Sequence, residues 1–432
     1  MGIVDAGRDM PWITNNLARL TWVSGRSHMA SPAAAASSGR ARVNAKLLRS
    51  MSRSAALLVL LAVLSVSAAH AQLFSTRASE AYMIDAETGT ILFSKEPDKL
   101  IPPASLAKLM TLEMVFHAIK TGRLNLDDQF YISVNAWKNG GAGSGGSTMF
   151  AKVKSSIRLE DLIRGMAVVS ANDACIAVAE GMAGSEENFA QLMTERAHAL
   201  GLSHMVFKNS TGLPADGQVV TVKELTLLGL HIWREYPELY RYFALPDFTW
   251  NKITQRNRNP LLKMDIGADG MKTGFTDASG YAIVGSVEKD GRRLFATLSG
   301  MSSDAERAEE SRKMLDWGMR AFAKSQLFAS GETVAQASVF GGAQSSVALK
   351  AKGPVSIFVP LTNRDQLKAR VVYKGPLVAP VEEGMPAGEL KVWIGDTLSQ
   401  ETPLYTAESV GSGTIYQRAV SAIEELAIGW MR

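Results

Sequence analysis

Three short groups of residues have the types and spacing that nucleophilic chemistry needs: Ser105-Leu106-Ala107-Lys108, Ser170-Ala171-Asn172 and Lys272-Thr273-Gly274. A serine hydroxyl is a poor nucleophile until a base sits beside it. Residues three apart on a helix share a face, so Lys108 can reach the hydroxyl of Ser105. A lysine holds its proton to about pH 10.4 and acts as a base only if burial or a nearby cation lowers that value. Lys272 can be that cation, and it can also draw in a carboxylate of the substrate. Pro102-Pro103-Ala104 precede Ser105 and put it in the first turn of a helix, where backbone N–H groups are free. Singly, each group is weak. Ser105 alone reads as a helix cap and Lys108 as a solvated charge. Ser170 and Asn172 alone read as turn or cap residues bonded to local backbone.

The elements that must position these groups can be read from hydrophobic spacing. Tyr82-Met83-Ile84 and Ile91-Leu92-Phe93 flank the turn Ala86–Gly89 as a β-hairpin. Ser105–Lys120, two segments within 157–183, residues 186–201 and Leu225–Trp233 have helical periods. Tyr281–Ser286 and Leu294–Leu298 alternate like paired strands, with Lys272-Thr273-Gly274 just ahead as an edge strand. Glu306–Lys324 reads as one long helix. Strands at both ends of a helix-rich middle predict an α/β domain whose sheet is closed by distant segments. After about residue 330 short apolar runs recur between Gly and Pro turns: Val334–Val339, Val347–Leu349, Val355–Val359, Ala369–Tyr373 and Leu390–Ile394. They predict a small all-β sandwich or barrel.

The chain has 432 residues and a formal charge of +4, but the charge is uneven. Residues 1–71 carry eight basic and two acidic side chains, a net +6, so the remainder carries −2. A mildly acidic body offers no basic field for nucleic acid. Arg49 and Arg53, the apolar run Ala55–Leu64 and the site Ala69-His70-Ala71 have the form of a secretory signal peptide, with cleavage expected after Ala71. Residues 1–50 lack a stable apolar period, and Met51 would make a normal start, so no element of the fold is expected in them. Cys175 is the one cysteine, so no internal disulfide is expected; no metal or other cofactor is expected either, because the histidines form no ligand pattern. Gly141-x-Gly143-x-x-Gly146 formally fits a dinucleotide fingerprint, but Ser147–Phe150 does not open a helix. The stretch reads as a loop beside the active site. Cys175 reads as a buried structural thiol.

The three groups, in this order and after an export signal, resemble the active-site set of serine penicillin-recognising enzymes. Pro103–Thr111, Ser170–Cys175, Asn209–Leu213 and Gly270–Gly274 narrow the resemblance to the low-molecular-mass D-alanyl-D-alanine carboxypeptidases, and it runs from about Ala81 to the C-terminus. It implies an antiparallel sheet with helices on both sides plus a helical subdomain, the β-lactamase/DD-peptidase-like fold. It also implies an acyl-enzyme on Ser105 with Lys108 as base and a proton relayed through Ser170 to the leaving amine. Asn172 would orient Lys108 and hold a substrate amide. The substrate would add as a strand along Lys272-Thr273-Gly274, where Gly274 permits close approach. The backbone N–H groups of Ser105 and Phe275 would form the oxyanion hole. Many relatives have His where this chain has Phe275, which bears on substrate tuning. Arg258 and Arg307 match family arginines near the cleft and the substrate carboxylate; surface ion pairing is the alternative for both.

Expected domains are 1–71 as extension and signal peptide, 72–328 as the catalytic domain, 329–410 as the β-sandwich and 411–432 as a terminal helix. That helix puts Tyr416, Ala419, Val420, Ile423, Leu426, Ala427 and Trp430 on one face, with Gln417, Arg418, Ser421, Glu424, Glu425 and Arg432 largely on the other. The resemblance implies attachment to the outer face of the cytoplasmic membrane in the periplasm; the alternative is packing against the β domain or a partner helix. Expected ligands are peptidoglycan stem peptides as substrate and β-lactams as inhibitors. A DD-endopeptidase, a β-lactamase and a non-catalytic wall-binding or penicillin-receptor protein stay open as rivals.

Overall fold

The computed structural model describes residues 2–5, 74–362 and 367–428. A five-stranded antiparallel sheet runs in the order Ile91–Lys95, Glu80–Asp85, Arg292–Met301, Gly280–Lys289, Ala268–Thr276. Its central pair joins residues over two hundred positions apart, with Ile84 opposite Phe295 and Tyr82 opposite Thr297. Glu80–Asp85 is buried at every position because helices cover both faces. On one face the helix Val222–Glu235 comes so close that a Cβ on Gly229 would lie 3.3 Å from Val284 and 3.4 Å from Phe295. On the other, a Cβ on Gly318 of the helix Asp304–Arg320 would be 2.6 Å from Met83 and 2.8 Å from Leu294.

Between the first hairpin and the edge strand lies a helical body: Lys108–Lys120, Val134–Gly140, Leu159–Val169, Asn172–Ala183 and Glu186–Ala199. Side-chain caps start several of these helices, as expected for Ser and Thr. Ser133 Oγ accepts the Ala136 N–H at 2.9 Å, and Ser185 Oγ that of Asn188 at 3.2 Å. Thr221 and Ser303 cap their helices in the same way. Lys108–Lys120 is tied to its neighbours from inside, where the buried Glu113 carboxylate accepts from Arg196 Nη2 at 2.8 Å and from Tyr236 OH at 2.9 Å.

Two boundaries differ from the sequence expectation. The long helix stops at Arg320, not Lys324, and Phe322–Phe328 is a strand paired with Val355–Pro360. That strand, placed with the catalytic domain on sequence alone, therefore pairs with the β region. The reason is visible in Phe-Ala-Lys-Ser-Gln-Leu-Phe, whose near-alternation suits a half-buried strand, and the Phe322 ring meets Trp317 edge-on at 4.9 Å. The other β-region strands order as Leu367–Tyr373, Pro386–Ile394, Thr397–Thr406, Ser346–Lys350, Thr333–Phe340 and Leu377–Val378. Gly2–Asp5, from a stretch where no element is expected, adds antiparallel to the open edge of Leu367–Tyr373. An edge strand offers unpaired N–H and C=O groups to any extended segment. The expected signal run and its cleavage site lie outside the described residues.

The catalytic and β portions meet through specific contacts. Thr90 Oγ1 donates to Gln400 Oε1 at 3.2 Å and accepts the Phe358 N–H at 3.2 Å, while the Arg292 guanidinium lies 3.7 Å over the Phe358 ring. Gly411-Ser412-Gly413 is pinned rather than free. Ala343 N–H donates to Gly411 O and Gly413 N–H to Gly341 O, at 2.8 and 2.9 Å. Beyond it, the helix Ile415–Ile428 leaves Ile415, Tyr416, Ile423 and Leu426 in solvent, each at least 66% exposed.

Candidate active site

The site forms where the start of Lys108–Lys120, the junction of Leu159–Val169 with Asn172–Ala183, and the edge strand Ala268–Thr276 converge. Ser105 stands in a 3-10 turn, Ala104–Ala107, which leads into the helix. Lys108 follows one turn on, fully buried, with Nζ 2.9 Å from Ser105 Oγ. Nζ also donates to the carbonyl of Thr211 at 2.6 Å. Burial pushes the Lys108 ammonium down to about 8. Lys272, also buried, donates to the Thr273 carbonyl at 2.9 Å. It is pushed well below its usual value by burial first, and then by the charges of Lys108, Arg307 and Arg258. The charge of each ammonium opposes that of the other. Losing one proton leaves a neutral lysine beside a cation, which is the state in which Lys108 can take the proton of Ser105.

The turn before the nucleophile is strained. Ala104 has φ +47°, a left-handed value that a residue with a Cβ rarely adopts. It is held by Gly212, at φ +80°, whose missing Cβ would lie 1.7 Å from the Ala104 carbonyl oxygen. Gly274 of the edge strand approaches the same turn less tightly: a Cβ there would be 3.3 Å from Ser105 N and 3.2 Å from Ala104 Cβ and Leu106 Cγ. This contact brings the backbone of Gly274 and Phe275 beside that of Ser105.

Ser170 ends the helix Leu159–Val169 in the left-handed region at φ +63°, and its buried Oγ has no protein partner. A polar hydroxyl held in a rare conformation without a bond is costly, and such costs collect at functional sites. Asn172 opens the next helix, its N–H bonded to Ser147 O at 2.8 Å. Its Nδ2 lies against Gly146, where a Cβ would come within 2.8 Å. The glycine-rich stretch thus borders Asn172. A helix precedes it and the next element after it is the strand Ser156–Arg158, so it lacks the strand-to-helix setting of a dinucleotide loop.

Thr273 is buried in the edge strand, while Phe275 is half-exposed and its ring packs on Tyr281 with centroids 4.3 Å apart. Arg307 lies over the other neighbour of that stack, 5.5 Å from the Tyr281 ring centroid, buried and paired with Asp304. Its buried Nε has no protein partner. Arg258 is placed differently: the buried side chains of Asn257 and Asn259 fix the backbone around it, and its own side chain is exposed. Its charge nonetheless acts on Lys272. Cys175 is buried, and burial pushes its thiol up to about 12, so it is inert as a nucleophile.

Sequence reasoning missed the residues that hold the site from behind. The buried carboxylate of Asp173 accepts from Thr148 Oγ1 at 2.6 Å, Ala151 N at 3.0 Å and Met149 N at 3.1 Å. It ties the segment beyond the glycine-rich loop to the Asn172 helix. Asn209 Oδ1 accepts from Gly212 N, Thr211 Oγ1 and Thr211 N at 2.7, 3.0 and 3.2 Å, which shapes the turn that presents Thr211 O to Lys108. An Asn two and three residues ahead of such N–H groups is an Asx turn, a signal readable in Asn209–Gly212.

This geometry coincides with what the chain resembles. Residues 65–302 match the family model described as D-alanyl-D-alanine carboxypeptidase, and residues 322–412 match the penicillin-binding protein 5 C-terminal domain. The chain belongs to the D-alanyl-D-alanine carboxypeptidase family, serine-type peptidases among the low-molecular-mass penicillin-binding proteins. It is 35% identical to D-alanyl-D-alanine carboxypeptidase DacC of Escherichia coli over 339 residues, which span 78% of this chain and 85% of that one. With DacA of the same organism identity is 32% over 356 residues, 82% and 88% of the two chains. The crystal structure of penicillin binding protein 5 from Haemophilus influenzae superposes with a TM-score of 0.67 at 32% identity, covering 78% of this chain and 99% of the other. The fold is accordingly the expected one, an α/β penicillin-binding domain followed by an all-β domain.

Proposed function

We propose that the protein removes the terminal D-alanine from peptidoglycan stem pentapeptides through an acyl-enzyme on Ser105. The observation that carries this is the 2.9 Å contact between Ser105 Oγ and the fully buried Lys108 Nζ. With Lys108 neutral, Ser105 donates its proton across that contact and attacks the carbonyl between the two D-alanines. The Ser105 and Phe275 N–H groups, brought together by Gly274, receive the oxyanion. The unpartnered Ser170 hydroxyl relays a proton to the departing amine, so that D-alanine leaves. Asn172 holds a peptide amide of the substrate, which extends along Lys272-Thr273-Gly274. Lys272 and Arg307, whose Nε is unpartnered, attract the terminal carboxylate, with Arg258 adding charge from the surface. Water then hydrolyses the acyl-enzyme with Lys108 as base. β-Lactams imitate the dipeptide and acylate Ser105.

The same proposal gives catalysis to the domain that ends with the helix Asp304–Arg320 and the strands from Phe322 onward to the β domain, and puts the protein in the periplasm. The helix Ile415–Ile428 attaches it to the outer face of the cytoplasmic membrane. The exposed Ile415, Tyr416, Ile423 and Leu426 support this, since they have found no protein surface to cover them. Among the described residues, no helix is long and apolar enough to cross a membrane, so attachment would be lateral. Replacing Ser105 by Ala tests the chemistry. D-alanine release from a peptide ending in D-Ala-D-Ala and covalent labelling by a β-lactam should both disappear; retained turnover would overturn the assignment.

A further inference from the structure

We propose that Glu186 is a positioning residue of this active site: acting through Ser210, it fixes the Thr211 carbonyl that holds Lys108 beside Ser105. The proposal rests on the Ser105–Lys108 chemistry above. Glu186 is the first residue of the helix Glu186–Ala199, a different element from any that carries the catalytic groups. Its Oε1 accepts two bonds from one residue, the N–H of Ser210 at 3.0 Å and the Oγ of Ser210 at 2.6 Å. Ser210 is completely buried, so its backbone cannot turn to water for a substitute.

From there the connection runs straight to the nucleophile's helix. The Ser210 carbonyl accepts from Thr111 Oγ1 at 2.6 Å, and the next carbonyl, Thr211 O, accepts from Lys108 Nζ at 2.6 Å. Thr111 and Lys108 lie three apart on the same helix face. Two consecutive carbonyls of 210–211 are therefore stitched to that face, and Asn209 shapes the turn around them. Glu186 supplies the bond that anchors this strip from outside. Without it, the donors of Ser210 lose their acceptor, and the Thr211 carbonyl is held only by the Asn209 turn and the bonds to the nucleophile's helix.

The carboxylate also carries charge, and this separates it from a merely structural acceptor. Lys108 faces Asp173 and Cys175 on Asn172–Ala183, Lys272 on the edge strand with Arg307 and Arg258 beyond it, and Glu186 on its own helix. Burial opposes the protonated lysine, whereas the charges of Glu186 and Asp173 favour it. The Asp173 carboxylate is occupied by Thr148, Met149 and Ala151. Glu186 can be neutralised without losing its acceptor, because a glutamine carbonyl can take the same two bonds. The chain then holds Lys108 in place but binds its proton less tightly.

The test uses the full chain and two variants, Glu186→Gln and Glu186→Ala. The rate of β-lactam acylation and kcat/KM for D-alanine release are followed against pH, with thermal unfolding as a folding control. For Glu186→Gln the acidic limb should move to lower pH, so that below the limb the rate is about three- to tenfold above wild type, an opposite charge being lost near the base. Glu186→Ala should lose more than tenfold at every pH, with Gln restoring most of it; if Ala fails to fold, the Gln profile decides alone. A Gln limb that coincides with wild type, or one that moves to higher pH, would overturn the proposal. Turnover retained by Ser105→Ala is a different result: it would remove the acyl-enzyme reading itself, whereas a stationary Gln limb removes only the role of Glu186.

Discussion

A lysine buried for chemistry should weaken the fold, and Lys108→Met measures by how much. Its ammonium falls from 10.5 to about 8 on folding, chiefly through burial. A drop of that size corresponds to roughly 3 kcal/mol against the folded state. The group is depressed in the folded protein, so this cost is present in full below pH 8. It fades as pH rises from about 8 towards 10.5, where the unfolded chain also gives up its proton. Methionine has a similar shape and no charge, but it leaves the Thr211 carbonyl without its Lys108 partner, a loss of about 1–2 kcal/mol. At pH 7 the variant should therefore be more stable than wild type by about 1–2 kcal/mol, a gain of a few degrees in Tm. By about pH 9.5 more than half of the lysine cost has gone, and the two proteins should unfold together. Urea or thermal unfolding of both at pH 7, 8.5 and 9.5 reads this difference directly, because their other titrations are common to both. D-alanine release should be absent throughout. A variant less stable than wild type at pH 7, or a difference that does not change with pH, would refute the account of Lys108 as a desolvated base.

Two further outcomes follow from the same geometry. Gly212→Ala places a Cβ 1.7 Å from the Ala104 carbonyl at a backbone angle of +80°. It should cost about 2–4 kcal/mol and slow β-lactam labelling of Ser105 more than tenfold, as read by unfolding and by a labelling time course. Removing residues 411–432 should shift the protein from the membrane to the soluble fraction and free it from phospholipid vesicles, while D-alanine release stays within twofold; unchanged membrane binding would eliminate the terminal helix as the anchor.

Much of the fold was legible because its signals are local. The hairpin around Ala86–Gly89, the helices with three- and four-residue spacing, and the edge strand carrying Lys272 all fall where hydrophobic period and turn residues put them. Ser105 and Lys108 were legible for the same reason, since three residues on a helix fix their separation. Phe322–Phe328 was not, because it follows a helix after one residue and its partner, Val355–Pro360, lies some thirty residues on. The stabilising shell of the site was hidden for another reason. Asp173 and Glu186 look on paper like ordinary surface or cap residues, and the Asx turn readable at Asn209 does not tell what it shapes. Their importance comes from which distant N–H and O–H groups the fold delivers to their oxygens. Arg307 and Arg258 illustrate the limit from the other side: the sequence offers two arginines of equal interest, and tertiary packing alone buries the first and leaves the second in solvent.

The pairing of Glu80–Asp85 with Arg292–Met301 has a consequence for how the chain comes into being. The hairpin partner Ile91–Lys95 is available as soon as it is made, but the other side of Glu80–Asp85 stays open until residue 301 has emerged. Everything between, including the nucleophile's helix and its helical neighbours, is inserted into a sheet that is still half built. Contacts of such long sequence separation delay folding, since the loop must close before the contact is rewarded. During that interval a strand whose middle, Ala81–Ile84, is bound for the core presents an unpaired edge, the kind that aggregates. The sheet that carries the Lys272 strand beside the nucleophile and its base is consequently completed only after some two-thirds of the chain has been made. Chains cut short before Arg292 should accumulate as insoluble material with no β-lactam labelling, however intact their helices.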